Sequence, residues 1–237
     1  MPHWYGFTEG VRVVTAGPLT EEEWGRLRER DAAFGFGGSR ETWIATARSN
    51  PTLVSRAEAV ARLLRDWGVP RVVAVGTGTG TFEYLLKSFA PEIAVRCGDW
   101  ATESIVELKR LFTEAESVER MDIRQVTWVR DPDEVVLLNR VDMELRDSEW
   151  RSVFRDMAGQ KVRRIIWIPC GLLTGASVFT ELRGILAGIG RRRRLYRTGY
   201  LRTPARMVEL FANGYQCREV IKRGDLPTWA LHLNEGS

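Results

Sequence analysis

The chain has 237 residues, of which 44% are hydrophobic and 28% charged, with a formal net charge of +4. Those values fit one folded globular domain with a sizeable core and exclude a disordered, fibrous or collagen-like chain. No apolar run approaches the roughly 20 residues a membrane span needs, and residues 1–10 lack a basic segment followed by an apolar one, so a cytoplasmic protein is expected.

Residues 19–30 read as a capped helix, with Thr20 followed three residues later by Glu23 in the capping-box arrangement. A glycine-rich break at 34–39 leads into a helix over 43–47. A longer one is expected over 53–66, ending at Gly68 and Pro70. From Arg71 onward the pattern alternates strand, glycine turn and helix, the signature of a parallel sheet covered on both faces. Strands are expected at 72–75, 93–97, 134–138 and 164–168, and helices at 82–89, 102–112, 148–157 and 174–186. The stretch 118–129 is weakly patterned. A basic run at 191–194 precedes a helix at 204–211, and strands at 216–222 and 228–233 have the length and turn content of a hairpin.

The chemistry-bearing feature is Gly76-Thr77-Gly78-Thr79-Gly80, reached directly from a strand and opening a helix. In that context backbone amides and the helix dipole are expected to face a ligand crevice. The spacing is Gly-x-Gly-x-Gly; the dinucleotide fingerprint would place glycine at position 81, which is Thr81, and no Gly-Lys-Ser or Gly-Lys-Thr follows for a Walker A loop. Asp99, 19 residues beyond Gly80, stands at the end of the second strand, where a carboxylate accepts the hydroxyls of a ribose. Trp100 is placed to cover an adenine or ribose face, and Asp122 with Ile123 to address the adenine edge.

With Val73 to Gly80 as a first motif and Gly98-Asp99-Trp100-Ala101-Thr102-Glu103 as a second, the sequence resembles the class I S-adenosylmethionine-dependent methyltransferases. The resemblance runs from Arg71 to Leu233, about two-thirds of the chain. It implies an α/β, Rossmann-like methyltransferase fold with a mostly parallel seven-stranded sheet and one antiparallel strand near the C-terminus. Residues 71–237 form that core and residues 1–70 an N-terminal helical cap. It also implies S-adenosylmethionine as cofactor, bound by Gly76, Thr77, Gly78, Gly80, Asp99, Trp100, Asp122, Ile123 and Asn139. The family commonly carries an acid two positions before the first glycine; here that position is Ala74.

Methyl transfer from a sulfonium asks mainly for alignment and exclusion of water. The loop after the fourth strand supplies the acceptor-side candidates Asn139, Asp142 and Glu144, of which Asn139 and Asp142 are the expected catalytic pair. A solvated loop acid capping the next helix is the bland alternative for Asp142. The loop lacks the prolines and aromatic residue of nucleic-acid amino-methyltransferases. The expected acceptor is therefore a small molecule bearing O or N, an anionic one being suited to the arginines, with aromatic contacts from Tyr5, Phe34, Phe36 and Trp43 of the cap.

An RNA methyltransferase using Arg191 to Arg194, with Arg197, Arg202, Tyr196 and Tyr200, is a second reading. A non-catalytic binding protein of the same fold is a third. Of the basic residues, 31 of 35 are arginine, suited to carboxylate or phosphate. No metal site is expected, His232 is read as structural, and Cys97, Cys170 and Cys217 as reduced thiols.

Overall fold

The computed structural model describes residues 3–7, 11–12, 22, 36, 38–174, 196–223 and 226–234. In chain order its elements are β1 (His3–Phe7), β2 (Val11–Arg12), α1 (Arg40–Ser49), α2 (Pro51–Asp66), β3 (Arg71–Val75), α3 (Thr81–Phe89), β4 (Ala94–Asp99) and α4 (Thr102–Leu111). There follow β5 (Ser117–Arg120), β6 (Val135–Asn139), α5 (Asp147–Gly159), β7 (Arg164–Ile168), β8 (Tyr196–Leu201), α6 (Pro204–Phe211), β9 (Tyr215–Arg223) and β10 (Leu226–Leu233). The expected helices at 19–30 and 174–186 and the basic run at 191–194 lie outside the described residues, Glu22 and Thr174 apart.

Seven strands form one sheet in the order β5-β4-β3-β6-β7-β10-β9. All pairs from β5 to β7 are parallel, and β10 runs antiparallel to both β7 and β9. The apolar runs of β3, β6 and β7 are continuous because both sides of each strand are covered, and alternate residues serve different cores. Val72, Ala74, Val135, Leu137, Ile166 and Ile168 pack with α1 to α4, while Val73, Val75, Val136, Leu138, Ile165 and Trp167 pack with α5 and α6. On the second side Trp150, Phe154, Trp167, Phe211 and Trp229 stack at centroid separations of 5.0–6.1 Å.

Helix starts follow their sequence signals. The Asn50 side chain accepts from the Leu53 amide ahead of Pro51, and the Thr203 hydroxyl from the Arg206 amide ahead of Pro204.

Three features depart from the sequence expectation. The weakly patterned stretch contains β5, a four-residue edge strand with one buried residue, too short to leave a periodic trace. The N-terminal segment is not all helical. β1 pairs in parallel with β8 and antiparallel with β2 in a separate three-stranded sheet, a long-range pairing that local patterning does not encode. The boundary expected at residue 70 does not divide two cores, because Trp43, Ala47, Ala57, Val60 and Leu64 belong to the same hydrophobic cluster as β3, β4 and β6.

Candidate functional site

Parallel pairing brings the carboxyl ends of β3, β4, β6 and β7 to one edge of the sheet, so Gly76, Asp99 and Asn139 leave it side by side. Gly76, Gly78 and Gly80 all have positive φ, at 73°, 59° and 70°. At two of them the protein itself occupies the space of a side chain. A Cβ on Gly76 would meet Val141 Cγ1 at 2.2 Å, and one on Gly80 would meet Leu108 Cδ2 at 2.5 Å. A Cβ on Gly78 would meet nothing within 4 Å. Only Gly78 borders open space.

Four of the turn's five amides are spent on the protein, which corrects the expectation that they face the ligand. Gly76 N and Thr77 N donate to the Gly98 carbonyl at 2.8 and 2.9 Å, and Gly80 N to the Thr77 carbonyl at 3.0 Å. Gly78 N donates to Asp99 Oδ2 at 2.8 Å. The Thr77 hydroxyl donates to the Gly98 carbonyl and accepts from the Gly98 amide, so this buried side chain ties β3 to β4. A pyrophosphate needs free amides. This turn supplies shape instead, which suits an uncharged nucleoside passing Gly78 better than a dinucleotide.

Asp99 is 3% exposed, and its Oδ1 accepts from Ala101 N at 3.0 Å. The bonds to Gly78 and Ala101 fix the carboxylate at the end of β4, next to the turn. Beside it Trp100 lines a cleft of about 490 Å³ shared with Arg120, Met121, Asp122, Thr127 and Trp128. Asp122 shapes this cleft through its backbone: its carbonyl accepts from Trp128 Nε1 at 3.2 Å, while its carboxylate is engaged by the Arg124 amide at 2.9 Å. Ile123 packs against the core on the α5 side.

Asn139 ends β6, with its Nδ2 donating to Glu83 Oε1 at 3.5 Å. Glu83, on the first turn of α3, is 1% exposed. Burial pushes its carboxyl up to about 7, with the nearby Asp99 acting in the same direction. Sequence reasoning passed over Glu83. The available signal was an acid among Phe82, Leu85 and Leu86 on the buried face of a helix.

Asp142 is fully buried. Its Oδ1 accepts from the Cys170 amide at 2.5 Å, and its carbonyl accepts from Trp150 Nε1 at 3.1 Å and Arg202 Nη1 at 2.5 Å. Burial pushes this carboxyl up to about 7 as well. The group joins the loops that follow β6 and β7, and no side of it is open to a bound acceptor.

Trp43 was expected to contact the acceptor. It is buried instead, with Nε1 donating to the Thr79 carbonyl at 2.8 Å and its ring against Tyr84 and Phe112. Phe36 packs on the same core. The side chain of Tyr5 and all of Phe34 lie outside the description.

Arg202 is likewise removed from the expected basic patch. It is fully buried, donating to Asp147 Oδ1 at 2.6 Å and to the Leu145 carbonyl at 2.5 Å. The Tyr200 hydroxyl accepts from Arg146 Nε at 3.2 Å. His232 pairs in register with Arg164 at the start of β7, on the sheet edge opposite the glycine turn.

No protein-family model and no curated protein matches the chain. Among solved structures, mitomycin 7-O-methyltransferase is similar at a TM-score of 0.61 and 16% identity over 89% of this chain and 60% of that one. Human N-acetylserotonin methyltransferase in complex with SAM is similar at a TM-score of 0.54 and 15% identity, over 92% of this chain and 63% of that one. The chain thus spans about three-fifths of the length of both. The magnesium protoporphyrin IX methyltransferase from Synechocystis PCC 6803 with bound SAM is similar over 93% of this chain and 100% of that one, at a TM-score of 0.56 and 13% identity. Strand order, the single antiparallel strand and the placement of the glycine turn agree with these likenesses: the chain has the Rossmann-like fold of the class I S-adenosylmethionine-dependent methyltransferases.

Proposed function

We propose that the protein transfers a methyl group from S-adenosylmethionine to an O or N atom of a small-molecule acceptor. The observation that carries this reading is the turn itself. Four of its five amides are consumed internally, Gly78 alone of its glycines faces open space, and Asp99 is locked beside it at the end of β4. That combination fits a ribose against the main chain. When bound, the cofactor supplies an electrophilic methyl group on a sulfonium.

The residues that would hold it are Gly78 by close approach, Asp99 by accepting ribose hydroxyls, Trp100 by stacking in the cleft it shares with Asp122, Ile123 beside that cleft, and Asn139 at the end of β6. Gly76, Gly80 and Thr77 act one step back, by closing the turn on Val141, Leu108 and Gly98. Asp142 is given a positioning role, holding the loop after β6 against Cys170, and not that of a base. Catalysis then rests on placement and exclusion of water, sufficient for an unprotonated amine.

Calorimetry with S-adenosylhomocysteine tests the reading. Binding is expected, and Asp99→Ala should weaken it by about 1–3 kcal/mol, the loss of hydrogen bonds to a charged group. Absence of binding by the unaltered protein sinks the proposal. Burial of Arg202 leaves less basic surface for the RNA reading, and the small-acceptor reading is preferred on that ground.

A further inference from the structure

We propose that Asn139 and Glu83 form the receptor for the α-ammonium group of the bound cofactor, Asn139 making the contact and Glu83 orienting it and supplying the countercharge. This rests on the cofactor reading above.

Among the described residues, Glu83 Oε2 and Asn139 Oδ1 are buried oxygens without a hydrogen-bond partner, and they belong to two side chains already bonded to each other. Leaving one such group unsatisfied costs about 1–3 kcal/mol, and two on adjoining side chains call for a partner. With Glu83 ionised both atoms are acceptors. The missing partner in that state is a cationic hydrogen-bond donor; a carboxylate or phosphate does not fit it, and a sulfonium has no hydrogen to give.

The bond from Asn139 Nδ2 to Glu83 Oε1 decides which end of the amide remains available. With its nitrogen turned to Glu83, Asn139 keeps its oxygen as the unpartnered acceptor. Glu83, deeper and fully enclosed, acts through Asn139 and through its charge.

Position along the sheet places the pair at the cofactor. Ala74 is in register with Cys97 and Leu137, and Asn139 follows Leu137 by two on the same face, the face covered by α3. Cys97 and Asp99 both interact electrostatically with Glu83. The helix thus delivers a carboxylate to the sheet side on which the strand offers only the methyl group of Ala74. The groups acting on Glu83 are Asp99, Cys97, Asn139 and its own backbone, and none of them is a cation. A bound ammonium provides one.

Two probes separate this role from a structural one: S-adenosylhomocysteine, which carries the ammonium, and 5′-deoxy-5′-methylthioadenosine, which has the same nucleoside and sulfur without it. In calorimetry, Glu83→Gln should weaken the first about tenfold or more and change the second by less than about twofold. For the unaltered protein, affinity for S-adenosylhomocysteine should fall as pH is lowered from 7.5 to 6, as Glu83 takes up a proton. In Glu83→Gln that dependence should flatten.

Asn139→Ala should reproduce the selective loss, and it decides the matter if Glu83→Gln does not fold. Equal losses for both probes, or no loss for either, overturn the assignment while leaving the cofactor reading intact. Failure of both probes to bind the unaltered protein overturns the cofactor reading and this proposal with it.

Discussion

Gly76, Gly78 and Gly80 share a backbone conformation and differ in what a side chain would meet, so the same substitution should have different effects. Gly76→Ala adds a positive-φ penalty of roughly 1–2 kcal/mol to overpacking of about 1–3 kcal/mol against Val141. It should lower the urea midpoint by a corresponding amount. Gly78→Ala carries only the conformational cost, yet its Cβ enters the space assigned to the nucleoside. Its expected signature is a stability loss of roughly 1–2 kcal/mol with loss of S-adenosylhomocysteine binding, read by denaturation and calorimetry on the same sample. Retained affinity in Gly78→Ala would show that the ligand does not pass there. The need for glycine was legible in the spacing. Which glycine faces the ligand was not, because Val141 and Leu108 lie 65 and 28 residues downstream of Gly76 and Gly80, the glycines they press on.

Helix α1 is a support for the glycine turn. Trp43 holds the turn by the Thr79 carbonyl, so Trp43→Phe should keep most of the packing and lose one hydrogen bond. A stability loss of about 1 kcal/mol is expected, with weaker S-adenosylhomocysteine binding from a looser turn; an unchanged affinity would confine Trp43 to packing. The segment from the end of β8 into α6 is anchored by Arg202, which binds Asp147 and two carbonyls where no water reaches. Arg202→Met should cost about 3–5 kcal/mol in urea unfolding, since it leaves Asp147 with only the Arg206 guanidinium. Sequence reasoning put Arg202 in a surface patch because charge runs are usually solvated, and nothing local reveals that Asp147 lies opposite. Elements with strong periodicity, such as α2, α4, β3, β6 and the β9–β10 hairpin, were legible within a few residues. β1, β5 and β8 were not, because short strands are defined by their partners.

At the scale of the whole molecule, two fully buried carboxyls impose a pH dependence on stability. Glu83 and Asp142 are both pushed up to about 7 by burial, whereas in the unfolded chain they titrate near 4. Between those values the folded protein binds more protons than the unfolded one. Stability should therefore fall as pH rises from about 4 to about 7 and level off above. Asp142→Asn keeps the oxygen that accepts from Cys170 and removes the charge. It should reduce the difference in unfolding free energy between pH 5 and pH 8 by roughly 1–3 kcal/mol; an undiminished difference would place Asp142 among the ordinarily titrating groups. The sequence by itself determined the alternation of strands and helices, the glycine turn and the carboxylate that follows the second strand, because these are set by periodicity and by spacing along the chain. Only the tertiary structure decided that the amides of Gly76, Thr77 and Gly78 are consumed across the sheet edge, that Trp43 and Arg202 are buried struts, and that Glu83 and Asn139 meet. Each depends on a partner distant in sequence, and hydrogen-bond satisfaction in a buried site is settled by which groups the sheet brings together.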